Sequence, residues 1–269
     1  MIELPPNFSF RELTAQDLPD VLNLIKRHNH DDYECAAQSY AKSLNGQFVL
    51  LQQGAVAGVT GARKIPGTDR SFWLSWTYLD PNAAMQMDTP TLMFDLICDK
   101  LRERANARKL FAMISPGVDS GLGGGHSYGG SLNCYTDFGF QNELSHRDYY
   151  DAGETGAVLS LRLQNKTQEN RFPAELRHVG ILDSDEIPET DDAYYVEWDF
   201  FDGPISPDQS VRHWIQEVQK WEGRVIFIGI PGNAESAIHQ LLGEGFTRDG
   251  QLTDFYEDGL DEVRLRYDL

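Results

Sequence analysis

The 269-residue sequence predicts an α+β fold: a mixed, mostly antiparallel sheet with flanking helices, duplicated, the second copy truncated. Three observations predict it. Residues 139–163, GFQNELSHRDYYDAGETGAVLSLRL, align without a gap on residues 245–269, GFTRDGQLTDFYEDGLDEVRLRYDL, at a constant offset of 106 residues. Gly139-Phe140 falls on Gly245-Phe246, Asp148 on Asp254, Tyr150 on Tyr256 and Gly153 on Gly259. Self-similarity of this kind means that each copy builds the same supersecondary unit. Each tail also reads as an aromatic strand, a Gly turn and a second strand at period two, which is a β-hairpin. Upstream, the strand around Trp76 matches the one around Trp198, Asp80 matches Asp202, and KLFAMIS (109–115) matches RVIFIGI (224–230), so the shared unit is β-α-β-α-β-β.

The first copy begins with FSFREL, a short strand. Thr14, with Asp17 three residues on, caps a helix whose Leu18, Val21, Leu22 and Ile25 face inward. A second helix is expected over 32–43, and QFVLLQQGAVAGVTGARKI alternates around a Gly turn as a hairpin. Strand 72–79 follows, then a helix with Leu92, Met93, Leu96, Ile97 and Leu101 spaced three to four apart, strand 109–115, a short helix and the tail hairpin. The order is β-α-α-β-β-β-α-β-α-β-β. In the second copy, Ser206-Pro207-Asp208 is an expected N-cap, first-position proline and first-turn acid for a helix with Val211, Trp214, Ile215, Val218 and Trp221 on one face. Domains are therefore expected at 1–164 and 165–269. The second lacks the first strands of the unit, which leaves an open sheet edge to be covered.

Composition narrows the function. No apolar run approaches the roughly 20 residues of a membrane span, and MIELPPNFSF has no basic stretch leading into an apolar one, so a cytoplasmic protein is expected. Cys35, Cys98 and Cys134 have no metal or CxxC spacing and suit a reducing compartment. The net charge of −19 is uneven, −5 over residues 1–164 and −14 over 165–269. Such a field repels nucleic acid and attracts cations such as amines.

The opening RELTAQDLPDVLNLI, the element order and Tyr135-Thr136-Asp137-Phe138-Gly139-Phe140 together resemble the GNAT superfamily of acyl-CoA-dependent N-acetyltransferases over residues 8–163. Residues 175–269 resemble the later part of the same fold, and Asn233 to Phe246 is similar to the family's N-x-x-A-x-x-x-Y-x-x-x-G-F helix. The resemblance implies acetyl-CoA as co-substrate, no metal, and a primary amine of a small molecule or peptide as acceptor. It also implies a pyrophosphate loop, Q/R-x-x-G-x-G/A, whose backbone N–H groups at a helix start meet phosphate oxygens. Here that loop is Gln86-Met87-Asp88-Thr89-Pro90-Thr91, with threonine at both glycine positions, and cofactor contacts are expected at Gln86, Met87, Asp88, Thr89 and Thr91 and along the strand at Leu79. The second copy has Ile205 to Ser210 there, without the motif.

Tyr135 occupies the position of the family's general acid for the departing thiolate, and its counterpart is Leu241, which has no proton to give. The base is left open. Strand 72–79 has no acid, whereas Glu197 stands at the position of Ser75. The run His28 to Glu34 lies where the family builds its acceptor site, so His30, Asp31, Asp32, Glu34 and Trp76 are the expected acceptor residues, His30 as a base and the acids for an ammonium. His126, in a glycine-rich segment, is a weaker candidate. Two other readings compete: a non-catalytic module that keeps the fold as a binding or scaffolding surface, and a metal-dependent enzyme of the glyoxalase type. The second would need matching ligands in both copies, but His146 faces Leu252.

Overall fold

The computed structural model describes residues 3–80, 82–83, 92–115, 132–166, 178–188 and 190–269. The described residues form two compact units, 1–142 with 157–165, and 143–156 with 166–269. The first copy, whose residues 143–156 fall in the second unit, follows the expected order. β1 (Phe8–Glu12) leads into α1 (Leu18–His28) and α2 (His30–Lys42), then β2 (Gln47–Gln52), β3 (Ala55–Lys64), β4 (Ser71–Leu74) and β5 (Tyr78–Leu79). α3 (Leu92–Ala105), β6 (Lys109–Ile114), α4 (Leu132–Phe138), β7 (Gln141–His146) and β8 (Gly156–Arg162) complete the run. The strand order is β1-β2-β3-β4-β6-β8-β7, with β5 paired to β3. β4 and β6 are parallel; β1–β2, β2–β3, β3–β4 and β6–β8 are antiparallel.

Local chemistry accounts for these elements. Gln53 and Gly54 both have positive φ, which is the turn a two-residue hairpin between β2 and β3 requires. α1 starts at Leu18 with Asp17, not Thr14, at the N-cap and no side-chain cap bond; the Asp17 carboxylate instead accepts from the Thr14 N–H at 2.9 Å and from its hydroxyl at 2.7 Å. Arg11 donates to the same carboxylate at 2.8 Å from two nitrogens and holds its pKa well below the usual range. The apolar face of α3 (Phe94, Ile97, Cys98, Leu101) packs on Leu110 and Ala112 of β6 and Leu159 of β8. α1 and α2 cover Val49, Leu51 and Val59 with Val21, Leu24, Ile25, Ala36 and Tyr40.

The second unit contains β9 (His178–Glu186), β10 (Ala193–Phe201), a 3-10 turn (Pro207–Gln209), α5 (Val211–Lys220), β11 (Val225–Pro231), α6 (Glu235–Gly243), β12 (Thr247–Glu257) and β13 (Leu260–Asp268). Its sheet runs β12-β13-β11-β10-β9, which repeats β7-β8-β6-β4-β3 strand for strand, and β10–β11 is again the parallel pair. Backbone detail repeats as well. Gly139 and Gly245, Asp148 and Asp254, and Gly153 and Gly259 all have positive φ. The Asp148 carboxylate accepts from Gly153 N–H at 2.7 Å, and that of Asp254 from Gly259 N–H at 2.6 Å. Phe140 N–H closes onto the Tyr135 carbonyl at 3.0 Å, as Phe246 N–H does onto that of Leu241 at 3.1 Å.

Four further details differ from expectation. β9 adds a strand, so the second copy begins one strand earlier in the unit than its sequence shows. α5 starts at Val211 with Ser210 as N-cap, its hydroxyl accepting from His213 N–H; Ser206 precedes only the 3-10 turn. The strand expected over 72–79 is broken at Ser75-Trp76-Thr77. Finally, β6 pairs Leu110 with Leu161 and β11 pairs Ile226 with Tyr267, so 109–114 matches 225–230, one residue further on than the sequence alignment gives.

Candidate active site

The parallel pairs open into wedges. β4 and β6 pair only from Ser71↔Lys109 to Trp73↔Phe111; beyond this, β6 continues along β8 while β5 pairs β3 through Gly58↔Leu79 and Val59↔Tyr78. The break at Ser75 to Thr77 is what turns the chain from β6 toward β3. Ser75 N–H donates to the Gly61 carbonyl at 2.8 Å, and the Thr77 hydroxyl meets that of Thr60 at 2.9 Å. In the second unit, β10 and β11 likewise pair only from Ala193↔Val225 to Tyr195↔Phe227, and a bulge falls at Glu197/Trp198, the counterparts of Ser75 and Trp76.

What stands in the wedge differs. The Trp198 indole N–H donates to the Gly229 carbonyl of β11 at 2.8 Å, so the side chain bridges the parted strands. Trp76 turns elsewhere and meets Tyr40 edge-on at 5.7 Å, within the cluster under α1 and α2. Leu79, expected to line the cofactor, is buried on β5 at the wedge of the first unit. Gln86, Met87, Asp88, Thr89 and Thr91 lie outside the described residues, as does His126.

The expected acceptor residues collect at the α1–α2 junction. α2 begins at His30, so the acid run is its first turn. Asp32 accepts a hydrogen bond from the buried Tyr78 hydroxyl, 46 residues away on β5. His28, at the end of α1, stacks on the Tyr78 ring at 5.4 Å. Its imidazole is held below the ordinary value by burial and by Arg27, with Asp80 opposing, so it is neutral at pH 7. Arg27 pairs with Asp80 at 3.3 Å. His30 is exposed and tilted on Tyr33 at 6.0 Å, and Glu34 is exposed on α2. The side chain of Asp31 is outside the described set. Tyr78 is the member that the sequence did not place here; an aromatic at period two after Trp76 was the available signal. His28 opens the acid run in sequence, and its stacking on Tyr78 is what sets it apart from His30.

Tyr135 is 4% exposed on α4, its ring packed on Phe94 at 4.7 Å and Phe140 at 5.2 Å. Leu241 is fully buried at the matching place on α6.

The second sheet carries a buried polar network of its own. Glu262 and Arg264 pair on β13, Tyr256 donates to Glu262 at 3.1 Å, and the Arg264 guanidinium lies 5.5 Å from the Tyr195 ring centroid. Burial raises the Glu262 carboxyl and pushes the Tyr195 phenol up to about 12. Gly229 makes room for this carboxylate, since a Cβ there would meet its carbon at 2.5 Å. Nearby, His146 is buried, its Nδ1 bonded to Asp249, and Phe227 and Tyr149 lie against its ring at 5.0 and 5.4 Å.

No family model matches the chain, nor does any curated protein. Among solved structures it is similar to a protein assigned to the GNAT acetyltransferase family from Desulfovibrio desulfuricans, at 17% identity, 58% of this chain, 99% of that one and a TM-score of 0.47. It is also similar to the ribosomal-protein-S18-alanine N-acetyltransferase of Escherichia coli (17%, 61%, 99%, 0.46) and to an aminoglycoside 6′-N-acetyltransferase complexed with coenzyme A (9%, 60%, 99%, 0.47). Among the described residues no group of three or more His, Cys, Asp or Glu could hold a metal ion, and no helix is long and apolar enough to cross a membrane.

Proposed function

We propose that the chain transfers an acetyl group from acetyl-CoA to a primary amine of a small molecule or peptide, and that the first copy does so while the second is structural. The observation that carries this is the wedge between β4 and β6. In the first unit, Trp76 packs on Tyr40 instead of bridging the strands, whereas in the second unit the indole of Trp198 is bonded across to β11. A pantetheine chain is amide-bearing and extended, so it suits a gap between two parted strands. The loop from Gln86 to Thr91 then takes the pyrophosphate.

In this reading Asp32, oriented by Tyr78, holds the acceptor ammonium, with His30, Asp31 and Glu34 adding to the polar rim and Trp76 to the wall. The neutral His28 takes the ammonium proton. The freed amine attacks the thioester carbonyl carbon, a C–N bond forms, the C–S bond breaks, Tyr135 protonates the departing thiolate, and the second proton of the nitrogen returns to the Tyr135 phenolate. Isothermal titration with acetyl-CoA tests the binding half of this. One site per chain supports the reading; two equivalent sites, or none, contradict it.

A further inference from the structure

Among the described residues β9 is the outermost strand of the second sheet, and its outer edge binds a peptide-like group. The side-chain amide of Gln240 accepts from Val179 N–H at 3.0 Å and donates to the Val179 carbonyl at 2.9 Å, as a residue of a neighbouring strand would. The N–H and C=O of Val179 therefore point away from β10, and strand alternation turns those of Ile181 the same way. A bulge follows, its extra residue Leu182 being 46% exposed, one of two large apolar side chains so exposed among the described residues.

The charge around this edge is of one sign. Asp183 stands directly opposite Glu197 on β10, Asp185 opposite Tyr195, and Gly180 opposite Asp199. Asp183, Asp185, Glu186, Glu197 and Asp199 are all exposed, and among the described residues none of them has a cationic partner. Like charges directly opposite one another on a sheet are destabilising, so cations brought alongside relieve a standing repulsion.

We propose that the edge of β9 binds an extended, lysine- or arginine-rich segment of another polypeptide by strand addition, its main chain pairing beyond Gln240, its basic side chains meeting Asp183, Asp185 and Glu197, and an apolar residue covering Leu182. Fluorescence anisotropy of the full chain with three labelled peptides tests it: alternating Lys-Val, the same peptide N-methylated at every second residue, and alternating Glu-Val. The Lys-Val peptide is expected to bind, the N-methylated one about tenfold more weakly because its charges remain but its ladder is blocked, and the Glu-Val peptide not at all. Asp183→Asn with Asp185→Asn should weaken Lys-Val binding. Gln240→Leu, which vacates Val179, should strengthen it. Absence of Lys-Val binding, or equal binding of the N-methylated peptide by the unmodified chain, overturns the proposal.

Discussion

The two sheets share a strand order, a parallel pair that parts after three residue pairs, and an irregularity at matching positions, a break between β4 and β5 at Ser75 and a register shift against β9 at Glu197. They differ in what those positions hold. In the second, Trp198 spans the parted strands and the next face is occupied by the Glu262–Arg264 pair, which Gly229 accommodates. In the first, the counterparts of Glu262 and Arg264 are Gly156 and Val158, the counterpart of Gly229 is Met113, and Trp76 lies on Tyr40. A repeated backbone thus keeps its geometry while one copy fills the gap with its own side chains. Retaining the wedge does not retain a site; what matters is whether a side chain already satisfies the strand edges.

The largest effect tests the chemistry. Tyr135→Phe removes one oxygen from a packed ring, so acetyl-CoA affinity should hold while turnover falls about 10²- to 10⁴-fold, roughly 3 to 5 kcal/mol of barrier. Leu241→Phe in the other copy should leave the chemical step unchanged. Wild-type kcat for Tyr135→Phe with a proven acceptor would make Tyr135 a packing residue.

Next comes the buried pair. Arg264→Met leaves the Glu262 carboxylate without its cation in a site where burial already raises its pKa. Denaturant unfolding should show a loss of about 3–5 kcal/mol. Val158→Ala at the matching place should cost less, since no charge is stranded.

A smaller effect separates the two tryptophans. Trp198→Phe keeps a ring but deletes the N–H bonded to Gly229, and should cost about 1 kcal/mol of unfolding free energy. Trp76→Phe should cost less stability and instead raise KM for the acceptor.

The mildest is a pH effect. Burial holds the His146 imidazole below the ordinary 6.5, against the bond from Asp249. The unfolded chain therefore binds the extra proton, so this contribution to stability is intact above pH 6.5 and is lost as pH falls below it. His146→Leu, the residue at the matching position Leu252, should flatten that acid limb in thermal melts; an unchanged limb would place the titration elsewhere.

Legibility in the sequence followed the period. The tail hairpins and α1, α3 and α5 were readable because one face is apolar and the turns carry glycines at positive φ, Gly54, Gly153 and Gly259. β9 escaped because the bulge at Leu182 interrupts its alternation. The correspondence of 109–114 with 225–230 slipped by one residue because both faces of β6 and β11 are buried, so no period marks the register. In the proposed site, the acid run and Tyr135 are candidates only through the family resemblance, and Tyr78 meeting Asp32 is a tertiary contact across 46 residues that no local pattern carries.

Hydrogen exchange with and without acetyl-CoA tests the central claim most directly, because it reports which wedge is filled. The account predicts that the ligand protects amides of β5 at Tyr78 and Leu79 and of β6 beyond Phe111, and leaves β10 near Trp198 and β11 near Gly229 unchanged. Protection in β10 and β11, or equal protection in both copies, would contradict it.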